Sequence, residues 1–344
     1  MKEKFADINF RSPTLAVINH ANKIIAEYQA QGFRLTLRQL YYQFVARALI
    51  PNKQTEYKRL GGIIDDGRQA GLIDWDAIED RTRNLVKTSM WRSPEDIMAA
   101  VVASYQEDPW RGQNYHVEVW IEKDALTGII ESVCNTYRVG YFACRGYVSQ
   151  SEMYSAAQRL KQANRAGRRP VILHLGDHDP SGMHMTVDNG DRLRLFMRSQ
   201  GIDVERLALN MDQVEEYNPP PNPAKDTDSR FAKYEAEHGD ESWELDALDP
   251  PVIEKLIRDA LRARIDPEPW AEAMKAERRN KRALAAVTEN WTNVRKFVEV
   301  LAHPIDREVE PFETLEDVLV GMAEAEPEDD ADDTLFGDDE EAEE

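Results

Sequence analysis

Glu122, Asp177 and Asp179 have the residue types and settings needed to hold a hard divalent cation. Asp177 and Asp179 close the apolar run PVILHLGDHD, and Pro180 and Gly182 follow at once. The run reads as a buried strand, and strand alternation predicts both aspartates on one side with His178 between them. Carboxylates this close repel each other, so the pair is costly unless a cation neutralises it. Oxygen donors without thiolates select Mg2+, with Mn2+ as the alternative. A lone DxD carries little information; DxDPxG after an apolar strand carries much more. Glu122 ends a second predicted strand, YHVEVWIE, immediately before Lys123 and a helix start. Open α/β sheets build their sites at the carboxyl ends of strands, so two such ends can bring three acids together. Glu118, on the same strand, is the competing acid. The bland alternatives are helix capping for either aspartate and a surface position for Glu122.

A second group of residues suggests a nucleophile. In TLRQLYYQFVARAL, Arg38 and Tyr42 are four apart and share a helix face. A tyrosine hydroxyl that attacks phosphorus needs a cation beside it, which Arg38 supplies. Tyr41 points roughly 100° away and is expected to pack. The alternative for both tyrosines is an ordinary aromatic core. Arg145, after the predicted strand VGYFAC, is placed to contact a phosphate. Arg34, Arg47, Lys58 and Arg59 belong to a segment, 34–68, that holds seven basic and three acidic residues. Such a local patch suits nucleic-acid phosphates better than the whole-chain charge of −21 suggests. That total is dominated by residues 311–344, which hold 16 acids and no Lys or Arg; without them 48 acids face 43 bases. His116, His174, His178 and His184 do not make a zinc pattern, because the four-residue spacing of His174 and His178 falls on a strand rather than a helix. Cys134 and Cys144 read as two reduced core thiols.

The positioning elements follow from periodicity. Helices are predicted over 13–31, ending at Gly32; from Thr36 as N-cap; and over 57–70, with Gly71 as C-cap. Short alternating segments in GLIDWDAIEDRTR suit a small β-wing, so residues 1–110 read as a winged helix-turn-helix domain. From Tyr115, strands and helices alternate, which predicts an α/β domain with a mostly parallel sheet (α+β for the whole chain). This domain, 111–310, includes a helical C-terminal extension. Residues 311–344 read as an acidic tail; from about Ala323 onward it is too poor in apolar residues to fold alone, with Leu335 and Phe336 as the only large apolar side chains of that last stretch. No run of apolar residues is long enough for a membrane span, and MKEKFADINF lacks the apolar core of a signal peptide. A cytoplasmic, nucleoid-associated location is the expectation.

Taken in order, the motifs resemble a known family. LTLRQLYY is similar to the catalytic motif of the topoisomerase VI A-subunit and its meiotic double-strand-break relatives. VWIEKDAL resembles their first Toprim motif, CRGYVSQSEMY their glycine turn, and LHLGDHDPSGMHM their DxDPxG motif. LALNMDQV and WELDALDP resemble later segments of the same fold, and the likeness spans roughly residues 13–250. The chain most resembles the short stand-alone A-subunit-like proteins of bacterial mobile elements. The resemblance implies a winged helix carrying a nucleophilic Tyr42 with Arg38 beside it, then a Toprim domain whose Glu122, Asp177 and Asp179 hold Mg2+. It also implies a homodimer on double-stranded DNA, in which the tyrosine of one protomer meets the metal site of the other. No glycine-rich nucleotide-binding motif is present, so ATP-driven strand passage would require a separate ATPase subunit.

Three functions follow. The first is DNA cleavage by tyrosine transesterification with a covalent phosphotyrosine link. The second is Toprim-type metal-dependent hydrolysis by water, without the tyrosine. The third is a non-catalytic DNA-binding assembly factor, since fold alone does not establish activity.

Overall fold

Thr36 starts the helix that carries Arg38 and Tyr42. In the computed structural model, which describes residues 1–78 and 88–301, the Gln39 amide donates to the Thr36 hydroxyl at 3.3 Å. The Thr36 amide donates to the Gln39 side chain at 2.8 Å. This reciprocal capping satisfies two donors that a helix start leaves open. The helix, α2 (Leu37–Ala46), packs with α1 (Ser12–Gln29) and α3 (Gln54–Gln69) around Ile18, Leu40, Phe44, Leu60 and Ile64. Gly32 and Gly71, at φ +84° and +72°, carry the chain away from α1 and α3 in a conformation that side chains disfavour. The three predicted helices are present.

The expected wing takes another form where it is described. Residues 71–78 make a turn and a short 3-10 helix at Trp75–Ala77, not a strand pair. The Asp74 carboxylate accepts the Asp76 amide at 2.9 Å, a local bond that favours a tight turn over an extended ribbon. Residues 79–83, the rest of that expectation, lie outside the described residues, as do 302–344 with the acidic tail.

The sheet is α/β. After α4 (Pro94–Ser104) come β1 (Tyr115–Ile121), α5 (Thr127–Tyr137), β2 (Gly140–Ala143), α6 (Gln150–Arg165), β3 (Arg169–Leu175), α7 (Pro180–Met197) and β4 (Asp203–Ala208). The four strands are parallel, in the order β2-β1-β3-β4. Val117, Val119 and Ile121 of β1 and Val171, Leu173 and Leu175 of β3 face α5 and a later helix, α10 (Pro250–Arg262). Trp120 and Ile172 face the other way, against Met153 and Leu160 of α6 and Leu193 and Met197 of α7. Helices therefore cover both faces, which is why the strands read as near-continuous apolar runs. Each fully buried Val, Leu or Ile contributes about 1.5–3 kcal/mol.

The chain leaves β1 toward β2 on one side, then crosses to β3 on the other. The reversal lies between the carboxyl ends of β1 and β3, where open α/β sheets leave a crevice for ligands. Glu122 follows β1, and Asp177 follows β3 by two residues. After β4 the chain forms α8 (Met211–Tyr217), a two-stranded ribbon of β5 (Asn222–Pro223) and β6 (Glu241–Ser242), and between them α9 (Phe231–His238). Helices α11 (Pro267–Glu289) and α12 (Trp291–Leu301) follow α10. The α11 residue Lys281 donates to the Ala103 carbonyl of α4 at 3.2 Å. No described helix is long and apolar enough to cross a membrane.

Candidate active site

Asp177, Asp179 and Glu122 meet at the reversal point, though not by the pleat of a strand. Strand β3 stops at Leu175, so the alternation expected to put both aspartates on one side does not reach them. A turn positions them instead. Asp179 is the N-cap of α7, and its Oδ1 accepts the Gly182 amide at 2.6 Å. A Cβ on Gly182 would lie 2.3 Å from the Asp177 carbonyl oxygen, so only glycine fits there. The Asp177 amide donates to Glu122 Oε2 at 2.9 Å, and a Cβ on Gly176 would meet that same oxygen at 2.9 Å. Both glycines of GDHDPSG thus serve close approach of backbone to carboxylate.

Arg206, on β4, holds this turn from beneath. Its guanidinium donates to the carbonyls of Asp177 at 2.5 Å, Gly182 at 3.0 Å, Gly176 at 3.1 Å and Leu209 at 3.2 Å, and to the Thr186 hydroxyl at 3.1 Å. All five acceptors are uncharged. Burial lowers its pKa to about 10, against the pull of Glu122, Asp177 and Asp179.

A distant segment completes the site. His178 and Trp243 exchange backbone hydrogen bonds at 2.8 and 3.0 Å, laying WELDAL against the DxD turn. The Leu245 amide then donates to Asp177 Oδ1 at 2.8 Å. Glu244 and Asp246 project to the same place. The Lys123 ammonium lies between them, 2.8 Å from Asp177 Oδ2, 2.7 Å from Glu244 and 3.2 Å from Asp246. Arg38 pairs with Glu244 and, through Nε at 2.5 Å, with Asp246. Arg38 also donates to the Tyr42 hydroxyl at 3.3 Å, with its guanidinium 5.6 Å from the ring centre. An unbroken run of contacts therefore joins Tyr42 to Asp177 within one chain.

The electrostatics follow from burial and pairing. Burial raises the Asp177 carboxyl to about 7, with Lys123 opposing and Glu122 and Asp246 adding to the rise. Burial also lifts Glu122 and Asp246 above the ordinary carboxylate range. At Glu244 burial acts in the same direction, but Lys123 and Arg38 outweigh it and hold the carboxyl at about 2. Burial opposes the charges of Lys123 and Arg38, yet the carboxylates around them keep both pKa values above normal. Tyr42 is 3% exposed, and its phenol is raised by burial and by Asp246 and Glu244.

The donor set suits Mg2+ or Mn2+: carboxylate oxygens past the carboxyl ends of the two central strands, with no thiolate among them. Among the described residues, however, no group of three or more Asp, Glu, His or Cys side chains is gathered closely enough to hold a metal ion as it stands. The cause is visible in the geometry. Asp179 commits one oxygen to a helix cap, Glu122 one to an amide, and Asp177 one to the Leu245 amide and the other to Lys123. Metal binding by all three requires Asp177 to share an oxygen between the ion and either Lys123 or the Leu245 amide.

The other predicted residues fall as follows. Glu118 is no ligand candidate: it accepts from Arg159 at 2.7 and 3.0 Å and from Trp120 Nε1 at 3.0 Å, four residues before Glu122. Burial would raise its carboxyl, but His116 and Arg159 hold it at about 2. Because the folded pKa lies below the unfolded one, this pair stabilises the fold above about pH 4.5, and the gain is lost as pH falls toward 2. Glu118→Gln should therefore cost about 2 kcal/mol at pH 7 and nothing near pH 2, read from thermal midpoints across that range; an equal loss at both ends would contradict this origin. Tyr41 packs as expected, its hydroxyl donating to Asn52 at 2.9 Å.

Arg145 stands beside the site, its amide donating to the Glu122 carbonyl at 2.9 Å and its exposed guanidinium 3.1 Å from Asp124. Arg34 and Lys58 are exposed. Arg47 and Arg59 pair with Glu27 and Glu56, each at 2.6 Å. The four histidines have four separate partners: Glu118, Thr186, Tyr234 and Tyr147. Lys123, Glu244, Asp246 and Arg206 join the site without a role assigned from sequence. Lys123 and WELDALDP stand in the sequence only as motif context, and nothing in VERLALN marks Arg206.

Comparison with family models, curated proteins and solved structures returns no match.

Proposed function

We propose that this chain is a DNA-cleaving transesterase of the topoisomerase VI A-subunit type, a winged-helix-like domain joined to a Toprim domain. The observation that carries the reading is the continuous network from Tyr42 through Arg38, Glu244, Asp246 and Lys123 to Asp177. It puts a candidate nucleophile and a candidate metal site into one electrostatic unit.

Glu122, Asp177 and Asp179 would hold Mg2+ or Mn2+. When bound, the ion supplies charge stabilisation to the phosphate and its leaving oxygen. Tyr42 Oη gives up its proton and forms a bond to phosphorus; the bond from phosphorus to a deoxyribose oxygen breaks, and that oxygen takes up a proton. No oxidant or reductant is needed, and the step is reversible. Arg38 orients the phenol and steadies the phenolate. Lys123 opposes the burial-driven rise of the Asp177 carboxyl and holds it in place. Arg145, Arg34 and Lys58 are exposed cations for neighbouring phosphates, so binding to duplex DNA should be strongly salt-dependent.

The resemblance predicts a site shared between protomers. In this structure Tyr42 is linked to the acids of its own chain, so a homodimer serves to place two such sites on two strands. A separate ATPase subunit would supply any nucleotide dependence, and the work would be done on the nucleoid in the cytoplasm.

Trapping tests the reading. The protein is incubated with supercoiled DNA and Mg2+, denatured, and examined for protein that stays attached to DNA. Attachment supports transesterification. Cleavage with no attachment would establish the second reading, hydrolysis by water, which the burial of the Tyr42 hydroxyl favours.

A further inference from the structure

We propose that Lys123 is the built-in second cation of the acidic site. Its ammonium fills the position between Asp177, Glu244 and Asp246 that a second divalent ion would otherwise take, so the site accepts one metal ion and no more. This inference rests on the metal-binding reading above.

Three observations carry it. The first is saturation. An ammonium has three donors, and Lys123 meets carboxylates of three different residues, at 2.7, 2.8 and 3.2 Å. Only 23% of its side chain is exposed, so the cation is enclosed rather than resting on a surface. The second is the division of Asp177. One oxygen takes the Leu245 amide and the other takes Lys123, so this carboxylate is tied on both oxygens to the side of the site that holds Glu244 and Asp246. The third is formal charge. Glu122, Asp177, Asp179, Glu244 and Asp246 are five acids, and Lys123, Arg38 and Arg206 are three bases in contact with them or with their turn. The remainder is −2, the charge that one divalent ion neutralises.

The placement has a functional consequence. Lys123 directly follows Glu122 in the chain and stands between the acids and the Arg38–Tyr42 pair. A phosphate approaching Tyr42 would meet a fixed protein cation on that side and a metal ion on the other. Unlike a second metal, that cation cannot dissociate, so the dependence on metal concentration should be that of a single ion.

The test is to count Mn2+ ions bound per full-length chain by electron paramagnetic resonance. The double variant Glu122→Gln/Asp179→Asn serves as the baseline for ions held elsewhere, including by the acidic residues 311–344. Above that baseline the wild type should bind one ion and Lys123→Arg one. Lys123→Met, which keeps the length and loses the charge, should bind two. Two ions in the wild type, or one in folded Lys123→Met, would overturn the proposal. Should Lys123→Met fail to fold even with Mn2+, the other two proteins decide: one ion in both supports the proposal, and two in either overturns it. No ion above baseline in the wild type would overturn the metal-binding reading together with this proposal, whereas two would overturn this proposal alone.

Discussion

Tyr42→Phe should lose covalent attachment to DNA by at least about 10³-fold, the scale on which removal of a nucleophile acts, while folding as the wild type does. Among the described residues the Tyr42 hydroxyl has one hydrogen bond, a long one at 3.3 Å from Arg38. The ring keeps its packing and its contact with the guanidinium when the oxygen is removed. The stability change should therefore stay within about 1 kcal/mol. A loss of attachment in Tyr42→Phe is then chemical rather than structural. Asp177→Asn should abolish cleavage on either mechanism, because the acids serve both. The pair of variants is decisive: strand cleavage that persists in Tyr42→Phe and stops in Asp177→Asn means that water, not tyrosine, attacks. Denaturing gels of the trapped products give the answer.

Arg206→Met should destabilise the fold by about 3 kcal/mol, as removal of one member of a buried charged network typically does. Five hydrogen bonds end on this guanidinium, and three of their acceptors are carbonyls of the turn that carries the aspartates. Methionine fills similar space and removes the guanidinium donors, leaving the Gly176 carbonyl with only the Leu209 amide. It also removes the cation that faces Glu122, Asp177 and Asp179. Lysine should recover only part of the loss, because one ammonium cannot span acceptors set for a planar fork. Urea denaturation measures both variants. A loss under about 1 kcal/mol in Arg206→Met would mean that the turn holds itself, through Asp179 and Gly182, without support from β4.

The residues with local signatures were legible in the sequence. Thr36 marked a helix start, Gly32 and Gly71 marked helix ends, and the apolar runs of β1 and β3 marked strands buried on both faces. The order of strands and helices was enough to predict a mostly parallel sheet with Glu122 and Asp177 at the ends of two strands; that the two strands are neighbours came from the fold. Arg38 and Tyr42 could be paired because helical spacing is a local property. The wing was misjudged in its described part, because Asp74 forms a side-chain turn that alternation of residue types does not register.

What only the tertiary structure decided is how these pieces meet. Asp177 lies more than sixty positions before Leu245 and more than fifty after Glu122, yet it bonds to both. No sequence period encodes such distances. They arise because His178 and Trp243 pair their backbones and because a parallel sheet places β1 beside β3. The same closure brings Arg38, from another core, onto Glu244 and Asp246. Residue types along the chain determined that acids, a tyrosine and basic groups were available, and local spacing determined which elements carry them. The fold alone determined that Lys123 and Arg206 neutralise those acids, since burial and proximity exist only once the chain is closed.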